Sequence, residues 1–264
     1  MRLPIYQVDA FASRVFAGNP AAVVPLAAWL PDATLQAIAA ENNLSETAFL
    51  VPEGGEWAIR WMTPEVEVDL CGHATLASAH VVFERLDPAR RRVVFRSPSG
   101  ELAVSRDGDR LAMTFPRRPA ETCPVPPALA RALGRAPLAV LRSRDYLAVL
   151  PGEEEVRGLA PDLAAVRDLD AQGLIVTAPG RSADFVSRYF APQAGIPEDP
   201  VTGSAHSTLV PYWSARLGKG DLHGLQVSRR GGDLFCRDLG HAVEIAGRAA
   251  MYLEGTIEVP DLRP

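Results

Sequence analysis

Residues Val68 to Phe83, Val-Asp-Leu-Cys-Gly-His-Ala-Thr-Leu-Ala-Ser-Ala-His-Val-Val-Phe, leave this chain few ways to fold. From Ala74 to Phe83 only Thr75, Ser78 and His80 are polar, so a helix there has no broad face for solvent. A helix apolar nearly all round belongs inside a core, and the rest of the chain has to cover every side of it. Its start, around Asp69, Cys71, Gly72 and His73, is then polar, glycine-bearing and buried. The first backbone N–H groups there have no partner within the helix, and such an end attracts anions.

The same design recurs downstream. Arg60-Trp61-Met62-Thr63-Pro64 reads against Arg188-Tyr189-Phe190-Ala191-Pro192, and Cys71-Gly72-His73-Ala74 against Thr202-Gly203-Ser204-Ala205. Gly100-Glu101-Leu102 meets Gly232-Asp233-Leu234, and Ala22-Val23-Val24-Pro25 meets Ala148-Val149-Leu150-Pro151. The blocks keep their order, and the offset drifts only from 126 to 132 residues. This predicts an internal duplication: two similar half-domains, each with a buried helix whose N-terminus faces the other, and a ligand cleft between them.

The expected fold class is α+β, with two pseudo-twofold-related half-domains, each a curled, mainly antiparallel sheet wrapped around a central helix. The N-terminal half spans residues 1–116 with its central helix at 73–85. A proline-rich connection follows at 117–127. The C-terminal half spans 128–264 with its central helix at 204–217, and a final strand at about 252–264 packs back on the first half. Asp32 is expected to cap a helix that runs through Leu35 and Ile38 and ends near Asn42-Asn43.

Composition narrows the chemistry. The net charge of −5 argues against non-specific binding to nucleic acid or a bilayer, and no apolar run approaches the length of a membrane span. Lys219 is the only lysine, in a Gly-Lys-Gly turn, which makes a Schiff-base cofactor a poor fit. Cys71, Cys123 and Cys236 are odd in number and widely spaced, which favours a reduced, cytoplasmic setting. The first residues lack the apolar core of a signal peptide. There is no GxGxxG, P-loop, HExxH or GxSxG, so no nucleotide, metal or redox cofactor is expected.

Deviations from the repeat mark candidate functional residues, because shared structure explains only what both halves share. Glu46 falls opposite the neighbourhood of Gln172 to Leu174, which has no acid. A carboxylate between a polar turn and a buried strand can be desolvated into a useful acid/base range, or can simply cap a backbone N–H. His73 replaces Ser204 at a helix start, where the positive helix end would hold the ring neutral. It can then exchange a proton, or merely bond a backbone carbonyl. His80, two turns on, is too far from His73 to share a metal ion and reads as core. Asp199 precedes a helix start and is either a cap or a substrate-facing carboxylate. Thr202, Gly203 and Ser204 offer hydroxyls and close backbone approach to a substrate carboxylate. Cys71 pairs in register with Thr202, so there is no symmetric two-thiol site, and packing is its commoner role. His206, His223 and His241 show no usable spacing.

Four stretches together resemble the PhzF-like family, named after the isomerase of phenazine biosynthesis, within the broader diaminopimelate-epimerase-like fold. They are Val8-Asp9-Ala10-Phe11 with Phe16-x-Gly18-Asn19-Pro20-Ala21-Ala22-Val23; Asn43-Leu44-Ser45-Glu46-Thr47-Ala48-Phe49; Arg60 to Pro64 through Asp69-Leu70-Cys71-Gly72-His73-Ala74-Thr75; and Glu198-Asp199-Pro200-Val201-Thr202-Gly203-Ser204-Ala205-His206. The likeness runs through nearly the whole chain in order. It implies two domains, an active site in the cleft, a homodimer, and cofactor-free proton-shift chemistry on a small carboxylated substrate. It also places the family glutamate at Glu46, the histidine at His73, the aspartate at Asp199 and the serine at Ser204. The expected reading has Glu46 as general acid/base, His73 and Asp199 as its catalytic partners, and Gly72, Cys71, Thr202, Gly203 and Ser204 as substrate-binding residues. Two alternatives stand beside it: a racemase or epimerase using Cys71, and a non-catalytic small-molecule-binding or protein-interaction member of the family.

Overall fold

The computed structural model describes residues 1–260, and within it the alternating and apolar stretches of the sequence become strands wound about two long buried helices. Contacts divide the chain into two compact units, one built from Met1–Thr114 plus the segment from Ala246 onward, the other from Phe115–Ile245.

The first unit opens with β1 (Arg2–Ala10), β2 (Asn19–Pro25), α1 (Asp32–Asn42), β3 (Glu46–Glu53), β4 (Glu56–Met62) and the short β5 (Glu67–Val68). The core helix α2 (Gly72–Val81) follows, then β6 (Arg92–Ser97), β7 (Gly100–Asp107) and β8 (Arg110–Pro116). β1 runs antiparallel to β2, β2 parallel to β3, β3 antiparallel to β4, and β4 parallel to β6.

α2 packs against β1, β2, β3 and β7, so strands meet it on several sides. Its two core hydroxyls cost nothing, because Thr75 Oγ1 donates to the Cys71 carbonyl at 2.6 Å and Ser78 Oγ to the Ala74 carbonyl at 2.7 Å. Such bonding back one turn satisfies a polar side chain within its own helix. The helix stops being α-helical at Val81 and ends in a π-helical turn, Val82–Leu86, one residue beyond the expected limit of 85.

Asp32 is not the cap that the sequence suggests. α1 begins at Asp32 itself, Pro31 precedes it, and no side chain caps it. Asp32 instead accepts from Arg60 at 2.8 Å, a guanidinium that Glu67 also engages. Two carboxylates around one arginine outcompete a single backbone N–H for Asp32.

In the second unit come β9 (Glu121–Thr122), α3 (Pro127–Leu133), β10 (Ala139–Arg142), β11 (Tyr146–Val149), α4 (Glu153–Arg157), α5 (Leu163–Arg167), β12 (Leu174–Pro179) and β13 (Phe185–Ala191). β14 (Ile196–Asp199), α6 (Gly203–Leu217), β15 (Asp221–Gln226), β16 (Gly232–Asp238) and β17 (Ala242–Gly247) complete it. The pairing order repeats that of the first unit: β10 antiparallel to β11, β11 parallel to β12, β12 antiparallel to β13, β13 parallel to β15. The proline-rich stretch is part of this unit, since β9 within it pairs with β10.

α6 is buried continuously from Ala205 to Pro211 and carries that proline in its interior. A proline removes the N–H that would satisfy the carbonyl four residues earlier. That carbonyl, on Ser207, accepts from the backbone N–H of Arg118 at 2.9 Å, so the proline-rich segment repairs the helix. Trp213 of α6 donates to Thr177 Oγ1 at 3.0 Å and stacks on Phe185, tying the helix to β12 and β13.

The last strand, β18 (Ala249–Glu258), belongs to the first unit and runs antiparallel along the whole of β1. The expected strand ended near residue 264; residues 261–264 lie outside the described part.

Candidate active site

Three of the singled-out residues converge in the first unit because β3 begins where α2 begins. Glu46 is the first residue of β3, paired in register with Ala21 of β2. Cys71 stands at the N-cap position of α2 and His73 in its first turn. The Glu46 Oε2 and His73 Nε2 atoms lie 3.1 Å apart, with the side chains only 11% and 7% exposed. The two atoms are not aligned as a hydrogen bond, and neither has a hydrogen-bond partner among the described residues.

On its other edge, His73 Nδ1 lies 3.2 Å from Asn19 Nδ2, at the start of β2, and 3.5 Å from Cys71 Sγ. An amide nitrogen has only protons to give, so in the neutral ring Nδ1 accepts and Nε2 carries the proton toward Glu46. Asn19, wholly buried, is a site residue that spacing alone gave no reason to select.

The electrostatics correct one expectation. The helix start was expected to hold His73 neutral. Burial does oppose its charge, but the neighbouring Cys71 sulfur and Glu46 carboxylate outweigh burial and push its pKa well above the usual histidine value. A carboxylate at contact distance exceeds the partial charge of a helix end. Burial, with Glu46 adding to it, raises the Cys71 thiol to about 11, so near neutral pH it keeps its proton. Glu46, Cys71 and His73 also offer three metal-ligating atoms within 4.8 Å of one another.

The second unit assembles the other set. Asp199 ends β14, and its Oδ2 accepts from Thr202 Oγ1 at 2.5 Å. Thr202 is the N-cap residue of α6, yet because its hydroxyl is turned to Asp199 no side chain caps the helix. α2 is uncapped in the same way. Each helix start therefore keeps N–H groups available to an anion. Gly203 is buried, whereas Ser204 is exposed.

Gln226 of β15 holds this turn together. Its Oε1 accepts from the Thr202 N–H at 2.8 Å, and its Nε2 donates to the Asp199 carbonyl at 2.8 Å and to Thr202 Oγ1 at 3.2 Å. His206, one turn into α6, bonds the Thr202 carbonyl through Nδ1 at 2.9 Å. Neither residue had a usable signal, since Gln226 lies in a strand more than twenty residues beyond the turn it supports.

Comparison with known proteins places the chain in a family. The family model described as phenazine biosynthesis-like protein matches residues 8–255. Two Pseudomonas aeruginosa proteins, each named an uncharacterized isomerase, are 53% identical to the chain, covering 98% of it and all of their own length. A crystal structure of a phenazine biosynthesis protein of the PhzF family from Enterococcus faecalis superposes with a TM-score of 0.96 at 48% identity, covering 98% of this chain and all of that one. A hydroxyproline epimerase from Agrobacterium vitis, 11% identical with a TM-score of 0.60 over 99% of this chain and 94% of its own, shares the fold. Matched from Val8 to near its end, the chain belongs to the phenazine biosynthesis-like, PhzC-PhzF family.

Proposed function

We propose that this protein is an isomerase that moves a proton on a small carboxylated metabolite, with Glu46 as general acid/base. The observation that carries this reading is the buried 3.1 Å approach of Glu46 Oε2 to His73 Nε2, two atoms with no hydrogen bond elsewhere among the described residues. Taking a carboxylate and an imidazole out of water costs stability even when they face each other, so the buried pair is better explained by reaction than by packing. Glu46 takes a proton from an activated carbon and returns it elsewhere on the same substrate. His73, whose neighbours favour its charged form, stabilises the negative charge that develops as the carbon ionises. Uncapped N–H groups at the start of α2, Gly72 among them, bind the substrate carboxylate.

Thr202, Gly203 and Ser204 are assigned to substrate binding and Asp199 to orienting the substrate, supported by the uncapped start of α6 and the turn that Gln226 holds. The names of the two Pseudomonas aeruginosa relatives supply the reaction class, isomerisation. The same reading takes the protein as a cytoplasmic homodimer, as the cysteine pattern and the family resemblance suggest. A second reading, racemisation or epimerisation through Cys71, has one observation in its favour: the sulfur sits 3.5 Å from His73 Nδ1. A thiol that keeps its proton up to about 11 is a donor, however, and not the base that starts such a reaction.

The test is a screen of small carboxylated metabolites in D₂O, with deuterium uptake read by mass spectrometry. Wild-type protein should label its substrate, and Glu46→Gln should label it about 10²–10⁴-fold more slowly with its fold intact. Undiminished labelling by Glu46→Gln removes the assignment. Inversion at a stereocentre that is lost in Cys71→Ser supports the second reading instead.

A further inference from the structure

The second unit has an acid of its own at the place that Glu46 takes in the first, supplied by a different strand. Matched through Arg60 and Arg188, Trp61 corresponds to Tyr189, and their cross-strand partners Ala48 and Ile175 correspond in turn. Two residues before these partners stand Glu46 and Gly173. Glu46 pairs with Ala21 of β2, whereas Gly173 lies beside Asp145, since the residues that follow them, Leu174 and Tyr146, are in register. The first unit therefore sets an alanine against an acid, and the second an acid against a glycine. Alignment of the two halves hides this acid, because the carboxylate has moved to the neighbouring strand.

Asp145 is 7% exposed, and its Oδ1 accepts from the Tyr189 hydroxyl at 3.1 Å. Gly173 makes room for this contact, because a side chain there would run into the phenol oxygen. Phe185, Ser187 and Tyr189 share one face of β13, and Phe185 stacks on Trp213, so that face is turned to α6. Tyr189 is in register with Asp199, whose carboxylate accepts from Thr202 at the start of α6. The phenol thus stands beside the turn assigned above to substrate binding. Burial raises the Asp145 pKa against the pull of Tyr189, Arg144 and Arg118. Burial and the Asp145 carboxylate raise that of Tyr189, which keeps its proton. Taking an acid and a phenol out of water has a cost that the first unit avoids, with Ala21 and Trp61 at the same places. The scaffold does not require the pair.

We infer that Tyr189 is a further substrate-recognition residue for the reaction proposed above, and that Asp145 is the residue that positions it. With its proton given to Asp145, the phenol oxygen offers lone pairs, so the group it takes is a hydroxyl or amino substituent on the carboxylated substrate. The inference rests on the proposed function for the substrate, and is independent of whether Glu46 is the base.

The probes are the metabolite labelled in the D₂O screen and its analogue with hydrogen in place of the hydroxyl or amino group, used as a competitor. Tyr189→Phe should raise KM for the metabolite about two- to tenfold with little change in kcat, and leave inhibition by the analogue as in wild type. A role confined to packing would weaken both alike. The double variant Asp145→Leu with Tyr189→Phe replaces both partners by apolar groups of similar shape, and should unfold in urea at or above the wild-type midpoint. It also takes the place of Tyr189→Phe in the kinetic comparison should that variant, which leaves the carboxylate buried alone, fail to fold. Equal weakening of metabolite and analogue, an unchanged KM, or a double variant that unfolds well below wild type would each overturn the proposal. Where no metabolite is labelled, the urea midpoint decides. Slow labelling by Glu46→Gln beside equal effects on the two probes leaves the catalytic reading standing, whereas labelling indifferent to Glu46 removes that reading and leaves the comparison of probes intact.

Discussion

His206 and His73 each sit in the first turns of a buried helix, yet their surroundings drive them in opposite directions. His206 has no acid beside it, and burial pulls its pKa down to about 4. As the pH falls, the unfolded chain takes up this proton near the ordinary histidine value while the folded one refuses it. The contribution of His206 is thus complete above about 6.5 and drains away between about 6.5 and about 4, amounting to roughly 3 kcal/mol. His73, raised by its neighbours, has its window above 6.5 and the opposite sign, losing its contribution as the pH rises. Urea unfolding of wild type and His206→Gln at pH 7 and pH 5 should show a smaller loss of stability on acidification in the variant. Gln226 is the other residue whose weight exceeds its visibility. Gln226→Leu strips partners from the Thr202 N–H and the Asp199 carbonyl, and should cost about 3 kcal/mol in denaturant unfolding. The carboxylate and the histidine were legible because each breaks the repeat. Asn19 and Gln226 were not, because a buried amide reveals its purpose only through what it touches.

Among the elements, the core helices were the easiest to read, since a run with no polar face has one place to go. The π-helical end of α2 was not, because nothing between Val82 and Leu86 distinguishes it from ordinary helix. Short α3 and α4 were also missed, each too brief for apolar periodicity to register. Strand packing gives two tests that differ in what stands in the way. A side chain on Gly224 would meet the Phe185 ring at 2.5 Å, on the strand paired with β15, and that ring already stacks on Trp213. Gly224→Ala should therefore lower stability by about 1–3 kcal/mol. At Gly18 the obstacle is the Ala10 backbone carbonyl, 2.1 Å from an added Cβ, and φ is +65°. A main-chain carbonyl cannot rotate aside as a ring can, so Gly18→Ala should cost more than Gly224→Ala in the same thermal or urea measurement. Because Gly18 precedes Asn19, it should also disturb the contact with His73, visible as a shift of the His73 ring resonances.

For the molecule as a whole, the duplication was readable from four short blocks, and the two units do share a pairing order, strand for strand. Less readable was which unit owns the tail, because a strand's partner cannot be inferred from its own pattern when most of its residues are exposed, as in β18. Its pairing along all of β1 makes the first unit dependent on residues far downstream. A chain ended at Ile245 should keep a cooperative second unit, while protease cuts concentrate within residues 1–114, as read by mass spectrometry of limited digests. The same interruption sets a timetable during translation. The ribosome must make the whole of residues 115–245 before β18 exists, a delay on the order of ten seconds at ordinary elongation rates. Throughout that interval the nascent half bearing Glu46 and His73 has to keep a helix with no solvent face sheltered without its closing strand, which makes it the natural client for chaperones in a newly made copy.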